Sequence, residues 1–250
     1  MQLLLIRHAQ SVNNVHEERA DFQHIEDCPL TAIGHSQANH LASVFRRQHD
    51  DDSTRTLAQS NSWLPLYHVD KLYSSPMQRT LQTAQPIAAA LDMPIQLLMD
   101  AYEIRGVYRE QPAGVFTSYP GLTREKMAQI CPNAQPPQTV THEGWHFVQQ
   151  PETVSEFTER VARFAAEILR RAGDDWAGDI TVGLLTHGTF AAMLIHSLLF
   201  SATEQRHMNA ERYLHLYNTS LTRLSIVPNR TVRLDFLNSV AHLPPQLMSR

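Results

Sequence analysis

The stretch Gln2-Leu3-Leu4-Leu5-Ile6-Arg7-His8 decides the fold of this chain. Its apolar residues form one short run that a charge ends, which is the pattern of a buried strand. Similar runs recur at Lys71–Ser74, Ile95–Met99 and Asp179–Thr186, with segments of helical periodicity between them. Strands that alternate with helices predict an α/β fold in three layers, α/β/α, around a mostly parallel central sheet.

Apolar residues at helical spacing predict four helices. These are Ala32–Arg47, Ser75–Leu91, Val154–Arg171 and Gly188–Phe200. Thr31 is placed to cap the first of them, and Pro86 is expected to kink or restart the second. A polar loop is expected at His49–Ser53. Two runs near the end, Ser220–Val227 and Thr231–Leu237, predict a hairpin across Pro228-Asn229-Arg230.

The segment 105–151 differs from the rest of the chain. It is rich in Pro, Gly, Gln and aromatic residues, and one helix is predicted in it, near Thr123–Ile130. An irregular segment of this length inside a compact chain is typically a functional lid or an insertion. We therefore predict a single domain over residues 1–250, with 105–151 as a lid over its active site.

The amino-acid composition limits the kinds of molecule that the protein is expected to bind and where it is expected to act. The 250 residues include 21 Lys and Arg against 25 Asp and Glu, and 42% are hydrophobic. This mild negative charge does not suggest a nucleic-acid binder, and no apolar run reaches the length of a signal peptide or a membrane span. The two cysteines, Cys28 and Cys131, form no Cys-x-x-Cys pair, which favours a reducing compartment and a cytoplasmic location.

Groups with reactive chemistry follow the predicted strands at their carboxyl ends, where parallel sheets carry their active sites. The first strand is followed by Arg7 and His8, and later ones by Arg79, Glu103 and His187. Guanidinium forks match phosphate oxygens, an imidazole can act as a nucleophile, and a carboxylic acid can protonate a leaving oxygen. Together these groups predict a phosphoryl-transfer site.

Five blocks of sequence resemble, in order, those of the histidine phosphatase superfamily, also called phosphoglycerate mutase-like. The blocks are Leu5–Asn14, Asp27–Ala38, Ser74–Thr80 with Thr83-Ala84, Thr186–Gly188 and Asn218–Thr222. This chain has Ala9 where the family usually has Gly and Gln10 where Glu is common. The stretch Glu103–Gly106 is a shorter match than the Glu-rich block of many relatives.

The resemblance implies a phosphoglycerate mutase-like fold and a role for each site residue. His8 is expected to accept the phosphoryl group as a phosphohistidine, and Glu103 to serve as acid for the leaving alcohol and then as base for water. The groups implied to hold the phosphoryl oxygens are Arg7, Asn14, Arg79 and His187. No metal or organic cofactor is expected, and a homodimer is possible because family members are often dimers.

The expected function is metal-independent hydrolysis of phosphate monoesters of small anionic metabolites. A mutase that returns the phosphoryl group to a second hydroxyl shares the same core, and a non-catalytic binder of phosphorylated ligands is the alternative outside enzymes. Lid residues that could line the substrate site are Arg105, Tyr108, Arg109, Arg124 and His142.

A second motif would indicate a different function, that of a zinc peptidase. His142-Glu143-Gly144-Trp145-His146 matches the H-E-x-x-H pattern of zinc peptidases, which requires a helix so that both histidines face one metal ion. Pro136-Pro137 upstream and Gly144 within the motif disfavour a helix. A lid segment is therefore preferred, with His142 or His146 near the substrate.

Overall fold

Nine strands and six helices lie in the part of the chain that the computed structural model describes, which is residues 1–16, 23–45, 67–111, 114–174, 176–200, 214–227 and 231–250. The strands are β1 (Gln2–Arg7), β2 (Lys71–Ser74), β3 (Ile95–Leu97), β4 (Tyr108–Gln111), β5 (Val115–Ser118), β6 (Ala134–Gln135), β7 (Thr181–Thr186), β8 (Leu221–Ile226) and β9 (Val232–Ser239). The helices are α1 (Val12–His16), α2 (Ala32–Ala42), α3 (Gln78–Leu91), α4 (Arg124–Ile130), α5 (Val154–Gly173) and α6 (Gly188–Leu199).

Seven of the strands form one sheet in the order β6-β3-β2-β7-β1-β8-β9. The first five are parallel, whereas β8 and β9 are antiparallel additions at one edge. The predicted α/β class and mostly parallel sheet are confirmed. In the register, Arg7 lies opposite Thr186 and Ser74 opposite Leu185, so β1, β7 and β2 end together.

Strand β1 is buried on both faces and joins two hydrophobic cores. Leu4 and Ile6 belong to one core and Leu3 and Leu5 to the other, because successive side chains of a strand point to opposite faces. The first core is completed by α2 and α3, and the second by α5 and α6. These two cores place helices on both sides of the sheet.

Helix α2 is shorter than predicted. Thr31 does cap it, since its hydroxyl accepts the Gly34 N–H at 3.0 Å. The helix ends at Ala42 because the chain turns to bury Val44 and Phe45 in the first core, and Tyr67 N donates to the carbonyl of Val44 at 2.7 Å. Positions 46 and 47 of the predicted helix lie outside the described residues, as does the predicted loop at 49–53.

Helix α3 begins at Gln78 instead of Ser75. The backbone N–H of Ser75 still follows the sheet, donating to Leu185 O at 2.9 Å, so the helix starts only after Pro76. Pro86 lies inside α3, and the helix continues to Leu91. The expectation of a restart at Pro86 is therefore wrong.

The segment 105–151 has more regular structure than predicted. Thr123 caps α4, so the helix predicted in this segment is confirmed. The strands β4, β5 and β6 were not predicted: β4 and β5 form a separate hairpin, and β6 pairs with β3 at the edge of the main sheet. Two-residue β6 and the charged β4 are too short and too polar to give a strand signal.

Smaller differences concern the ends of elements. The strand predicted over Ile95–Met99 stops at Leu97, and a 3₁₀ turn over Met99–Ala101 follows it. The predicted terminal hairpin is present, with β9 extending to Ser239, while its turn at 228–230 is not described. None of the described helices is long and apolar enough to cross a lipid bilayer.

A close contact between α2 and the loop after His8 requires glycine at position 34. A Cβ there would lie 2.1 Å from the carbonyl oxygen of Gln10, which also accepts the Thr31 N–H at 3.0 Å. The backbone of the loop therefore rests directly on the helix.

We expect Gly34→Ala to lower the free energy of unfolding by about 1–3 kcal/mol, because the added methyl group must displace backbone. Urea denaturation measures the change. The control is Gly173→Ala, since no other element of the described chain lies within 4 Å of its added Cβ and alanine favours the helix. Equal stability of the Gly34→Ala variant and the wild type would contradict the contact.

Candidate active site

Two histidines meet where β1 and β7 end. His8 follows β1, and its backbone N–H donates to Thr186 O at 2.9 Å. His187 follows β7, and the centroids of the two imidazole rings are 5.2 Å apart. Both side chains are buried. The parallel register thus brings together residues that are far apart in sequence.

The contact between Arg79 and His8 fixes which nitrogen of His8 carries the proton. Nε of Arg79 donates to Nε2 of His8 at 3.2 Å, so Nε2 must offer a lone pair. Nδ1 lies 2.7 Å from the carbonyl oxygen of Ala9, to which it donates its hydrogen. His8 therefore has a proton on Nδ1 and a lone pair on Nε2.

Burial lowers the pKa of His8 well below its usual value, and the charges of Arg79 and then Arg7 lower it further. Burial likewise lowers the pKa of His187 well below its usual value, with Arg79 the next cause. Both rings are consequently neutral at physiological pH. A neutral imidazole is the form that can act as a nucleophile.

Arg7 is held against the beginning of α6. Its guanidinium donates to the carbonyl oxygen of Leu216. A Cβ at position 188 would lie 3.1 Å from Nε of Arg7, so the absence of a side chain at Gly188 leaves room for the guanidinium. Arg7 and Arg79 are both buried, which places two permanent charges beside the histidines.

Glu103 lies at the N-terminus of α6. Its Oε2 accepts the Thr189 N–H at 3.0 Å, and its Oε1 accepts those of Phe190 and Ile104 at 3.0 and 2.9 Å. The carboxylate thus binds unpaired N–H groups of the helix that His187 precedes. The sequence placed Glu103 at a strand end, but it gave no sign of this cap.

A buried ion pair holds the turn that carries Glu103. Nε of Arg160 donates to Oε2 of Glu152 at 3.0 Å, and the same guanidinium donates to Tyr102 O at 3.0 Å and stacks on the Tyr102 ring. Oε1 of Glu152 accepts the Arg105 N–H at 3.1 Å. The sequence analysis missed both ionic residues, since Arg160 looks like any polar residue of an amphipathic helix and Glu152 lies in a loop.

Asn14 lies in the short helix α1, six residues after His8. Its Oδ1 accepts hydrogen bonds from Ser11 N at 3.1 Å, from the Ser11 hydroxyl at 3.0 Å and from Asn218 Nδ2 at 3.3 Å. The same amide nitrogen of Asn218 lies 3.2 Å from the carbonyl oxygen of His8. Asn14 and Asn218 therefore brace the backbone that presents His8.

The β4–β5 hairpin packs against a segment that precedes α2. The ring of His24 stacks on Tyr108 with centroids 4.4 Å apart, and the guanidinium carbon of Arg105 lies 4.2 Å from the Phe116 centroid. Burial lowers the pKa of His24 to about 4, and Arg79 adds to this effect. We name His24, Arg105, Tyr108 and Phe116 the aromatic shelf.

Two further residues of segment 105–151 that the sequence analysis named have structural partners. Arg109 forms an ion pair with Glu26 at 2.5 Å. Arg124 donates to three backbone carbonyls, including that of Val140 at 3.1 Å, and so is committed to holding the backbone of segment 105–151. His142 is exposed.

The H-E-x-x-H stretch is not helical. Thr141 and Gly144 bond to each other in a tight turn, with N–H to carbonyl distances of 3.0 and 3.3 Å. His146 is buried, and its Nδ1 lies 3.1 Å from Tyr119 O. The two histidines are therefore not on one helix face, and the described ranges contain no group of three His, Cys, Asp or Glu residues that could hold a metal ion.

The sequence from residue 3 to 239 matches the model of the family described as the histidine phosphatase superfamily (branch 1). The chain belongs to this superfamily. No curated protein matches the sequence. Membership makes the protein a phosphoric monoester hydrolase by class, and it confirms the family that the five sequence blocks resembled.

Solved structures agree on the fold. The α-ribazole phosphatase of Shigella flexneri is 18% identical with a TM-score of 0.56, covering 96% of each chain. A phosphoserine phosphatase variant from Entamoeba histolytica, in complex with phosphoserine, is 20% identical with a TM-score of 0.54, covering 97% of this chain and 99% of that one. A mycobacterial glucosyl-3-phosphoglycerate phosphatase, in complex with inorganic phosphate, is 18% identical with the same TM-score and coverage. The phosphoglycerate mutase-like fold is thus confirmed.

We expect His8 to titrate well below pH 6.5 in the wild type and at a higher pH in Arg79→Met, because that substitution removes a nearby cation that disfavours imidazolium. The shift is followed by NMR through the ring carbon-bound protons of His8 between pH 4 and 8. A wild-type inflection at or above 6.5, or no upward shift in the variant, would contradict the electrostatic account.

Proposed function

We propose that this protein is a metal-independent phosphatase that hydrolyses phosphate monoesters of small anionic metabolites through a phosphohistidine at His8. The contact between Arg79 and Nε2 of His8 supports this proposal most directly. It combines a neutral nucleophile and a cation at one buried point, where a phosphoryl group needs both.

In the first step, the Arg79 N–H that is bonded to Nε2 of His8 moves to a phosphoryl oxygen. The freed Nε2 lone pair attacks phosphorus, a P–N bond forms and the bond from phosphorus to the ester oxygen breaks. The guanidinium groups of Arg7 and Arg79 hold the phosphoryl oxygens, together with His187 and Asn14. Their charges stabilise the negative charge of the transition state, which is the task that Mg²⁺ performs in kinases.

Glu103 supplies the proton that the leaving alcohol requires. Among the described residues, Oε2 accepts one hydrogen bond, from Thr189 N, so a second lone pair is available to carry a proton. In the second step, Glu103 takes a proton from water, the water oxygen attacks phosphorus and the P–N bond breaks. Inorganic phosphate leaves, and His8 and protonated Glu103 are restored.

The aromatic shelf supports an anionic substrate. Arg105 is half-buried against Phe116 and Tyr108, and it forms no ion pair with a carboxylate in the described part of the chain. A cation in this position, two residues from Glu103, would attract a second negative group on the substrate. Segment 105–151 is proposed to act as the lid that sets substrate choice, since the core contacts only the phosphoryl group.

The test measures free phosphate released from a panel of phosphorylated metabolites. We expect turnover by the wild type and a loss of more than about 10³-fold in His8→Ala, because the nucleophile is gone. His35→Ala is the matched control, since this histidine is exposed on α2. Isomerised phosphoglycerate without free phosphate would indicate a mutase, and binding without turnover would indicate a non-catalytic binder.

The variant Glu103→Gln tests the role of Glu103 as the acid independently of the role of His8 as the nucleophile. Hydrolysis of alkyl phosphates should fall by about 10²- to 10⁴-fold, because their alcohols need a proton to leave. Hydrolysis of p-nitrophenyl phosphate should fall much less, since nitrophenolate leaves without one. Steady-state rates for both substrates, measured on the same preparation, provide the comparison. An equal loss on both would assign Glu103 to the architecture of α6 alone.

A further inference from the structure

His187 uses only one of its ring nitrogens within the protein. Nε2 lies 2.8 Å from the hydroxyl oxygen of Ser75. Nδ1 is buried and has no hydrogen-bond partner among the residues that the structure describes. Nδ1 is therefore the nitrogen that is left for a ligand, in a ring that faces His8.

The surroundings of Ser75 decide the direction of its bond to His187. The Met77 N–H points to the hydroxyl oxygen of Ser75 at 3.4 Å, so that oxygen already accepts a hydrogen bond. If Ser75 donates to Nε2, its hydroxyl is satisfied and His187 carries its proton on Nδ1. If Nε2 donates instead, the Ser75 hydroxyl hydrogen and the Nδ1 lone pair both lack partners in the described structure.

The cost of buried polar groups that lack a partner favours donation by the Ser75 hydroxyl to Nε2 of His187. Each buried polar atom without a partner costs about 1–3 kcal/mol. The first arrangement leaves one such group, the Nδ1–H, and the second leaves two. A phosphoryl oxygen would satisfy the Nδ1–H of the first arrangement, whereas it would be repelled by the Nδ1 lone pair of the second.

We propose that Ser75 is a positioning residue that fixes the His187 tautomer with its proton on Nδ1, so that this neutral ring donates a hydrogen bond to the phosphoryl group. The inference rests on the proposed function, in which His187 holds that group. Because burial lowers the pKa of His187, the ring has a single N–H, and the tautomer alone decides whether it donates or accepts.

The two histidines then have the same tautomer and opposite roles. The carbonyl of Ala9 holds the Nδ1–H of His8, so the lone pair of this ring is on Nε2, where Arg79 donates until phosphorus is attacked. The hydroxyl of Ser75 occupies Nε2 of His187 and leaves the Nδ1–H to bind an oxygen. His8 thus supplies the electron pair that attacks phosphorus, and His187 donates a hydrogen bond to a phosphoryl oxygen, although neither ring is charged.

The decisive measurement is ¹⁵N NMR of the wild-type protein labelled at histidine, at neutral pH. The two His187 nitrogens are assigned by their absence from His187→Gln. We expect a protonated Nδ1 and a bare Nε2, with the Nδ1–H resonance shifting on addition of inorganic phosphate. A protonated Nε2 would overturn the proposal. The spectrum reports the tautomer whether or not the protein hydrolyses phosphate, so this failure is distinct from failure of the proposed function.

Two adjacent buried serines allow a matched comparison. Ser75→Ala removes the hydroxyl at Nε2, and we expect a population with protonated Nε2 and a fall in kcat of about 10²-fold, with a smaller change in KM. Ser74→Ala should retain the wild-type tautomer, since the Ser74 hydroxyl donates to Ser75 O at 2.9 Å. Ser75→Thr should restore the tautomer. An unchanged His187 spectrum in Ser75→Ala would refute the role, and the wild-type spectrum decides if that variant does not fold.

Discussion

A neutral imidazole beside permanent positive charges is the constraint on which the site depends. Burial of His8 disfavours imidazolium most, and the charge of Arg79, which donates to its Nε2, disfavours it further. The cations that would hold a phosphoryl group therefore also keep the nucleophile deprotonated. A solvent-exposed version would lose much of this effect, because water would screen the charges. Burial of the β1, β2 and β7 ends is thus part of the chemistry as well as of the fold.

Two carboxylates near the site accept hydrogen bonds from backbone N–H groups at the starts of helices. Asp27 accepts the Gln78 N–H at 2.8 Å at the start of α3, and Glu103 accepts two N–H groups at the start of α6. Burial raises the pKa of Asp27 to about 6, although the charge of Arg79 opposes the rise. Among the described residues neither carboxylate forms an ion pair with Arg79, so both helices are anchored without a carboxylate occupying its guanidinium.

The sequence could predict those parts of the structure that have a local signature. Apolar runs followed by Arg7-His8 and by His187 identified strand ends, and the parallel sheet then required them to meet. The hairpin of β4 and β5 gave no such signature, because its strands are stabilised by pairing with each other and by contacts such as that of Tyr108 with His24.

Long-range contacts set the limit of the sequence analysis in the site as well. The sequence placed Glu103 after the third strand. It could not predict the ion pair between Glu152 and Arg160, because that pair joins a loop to the face of a helix. Likewise, the proton positions on His8 and His187 follow from single atoms of Ala9 and Ser75. Such details depend on three-dimensional geometry that residue types and spacings do not encode.

The bond from Arg105 N to Glu152 has a consequence for how this scaffold can diversify. It joins residue 105, where the segment begins, to the residue that follows its end, so a carboxylate holds the two ends of the segment side by side. The middle of the segment is nevertheless part of the fold, because β6 pairs with β3 and Met127, Cys131 and Val140 are buried in the first core. The β4–β5 hairpin forms a sheet of its own, so it is the part of the segment whose length and sequence can vary with least disturbance to the central sheet and its cores.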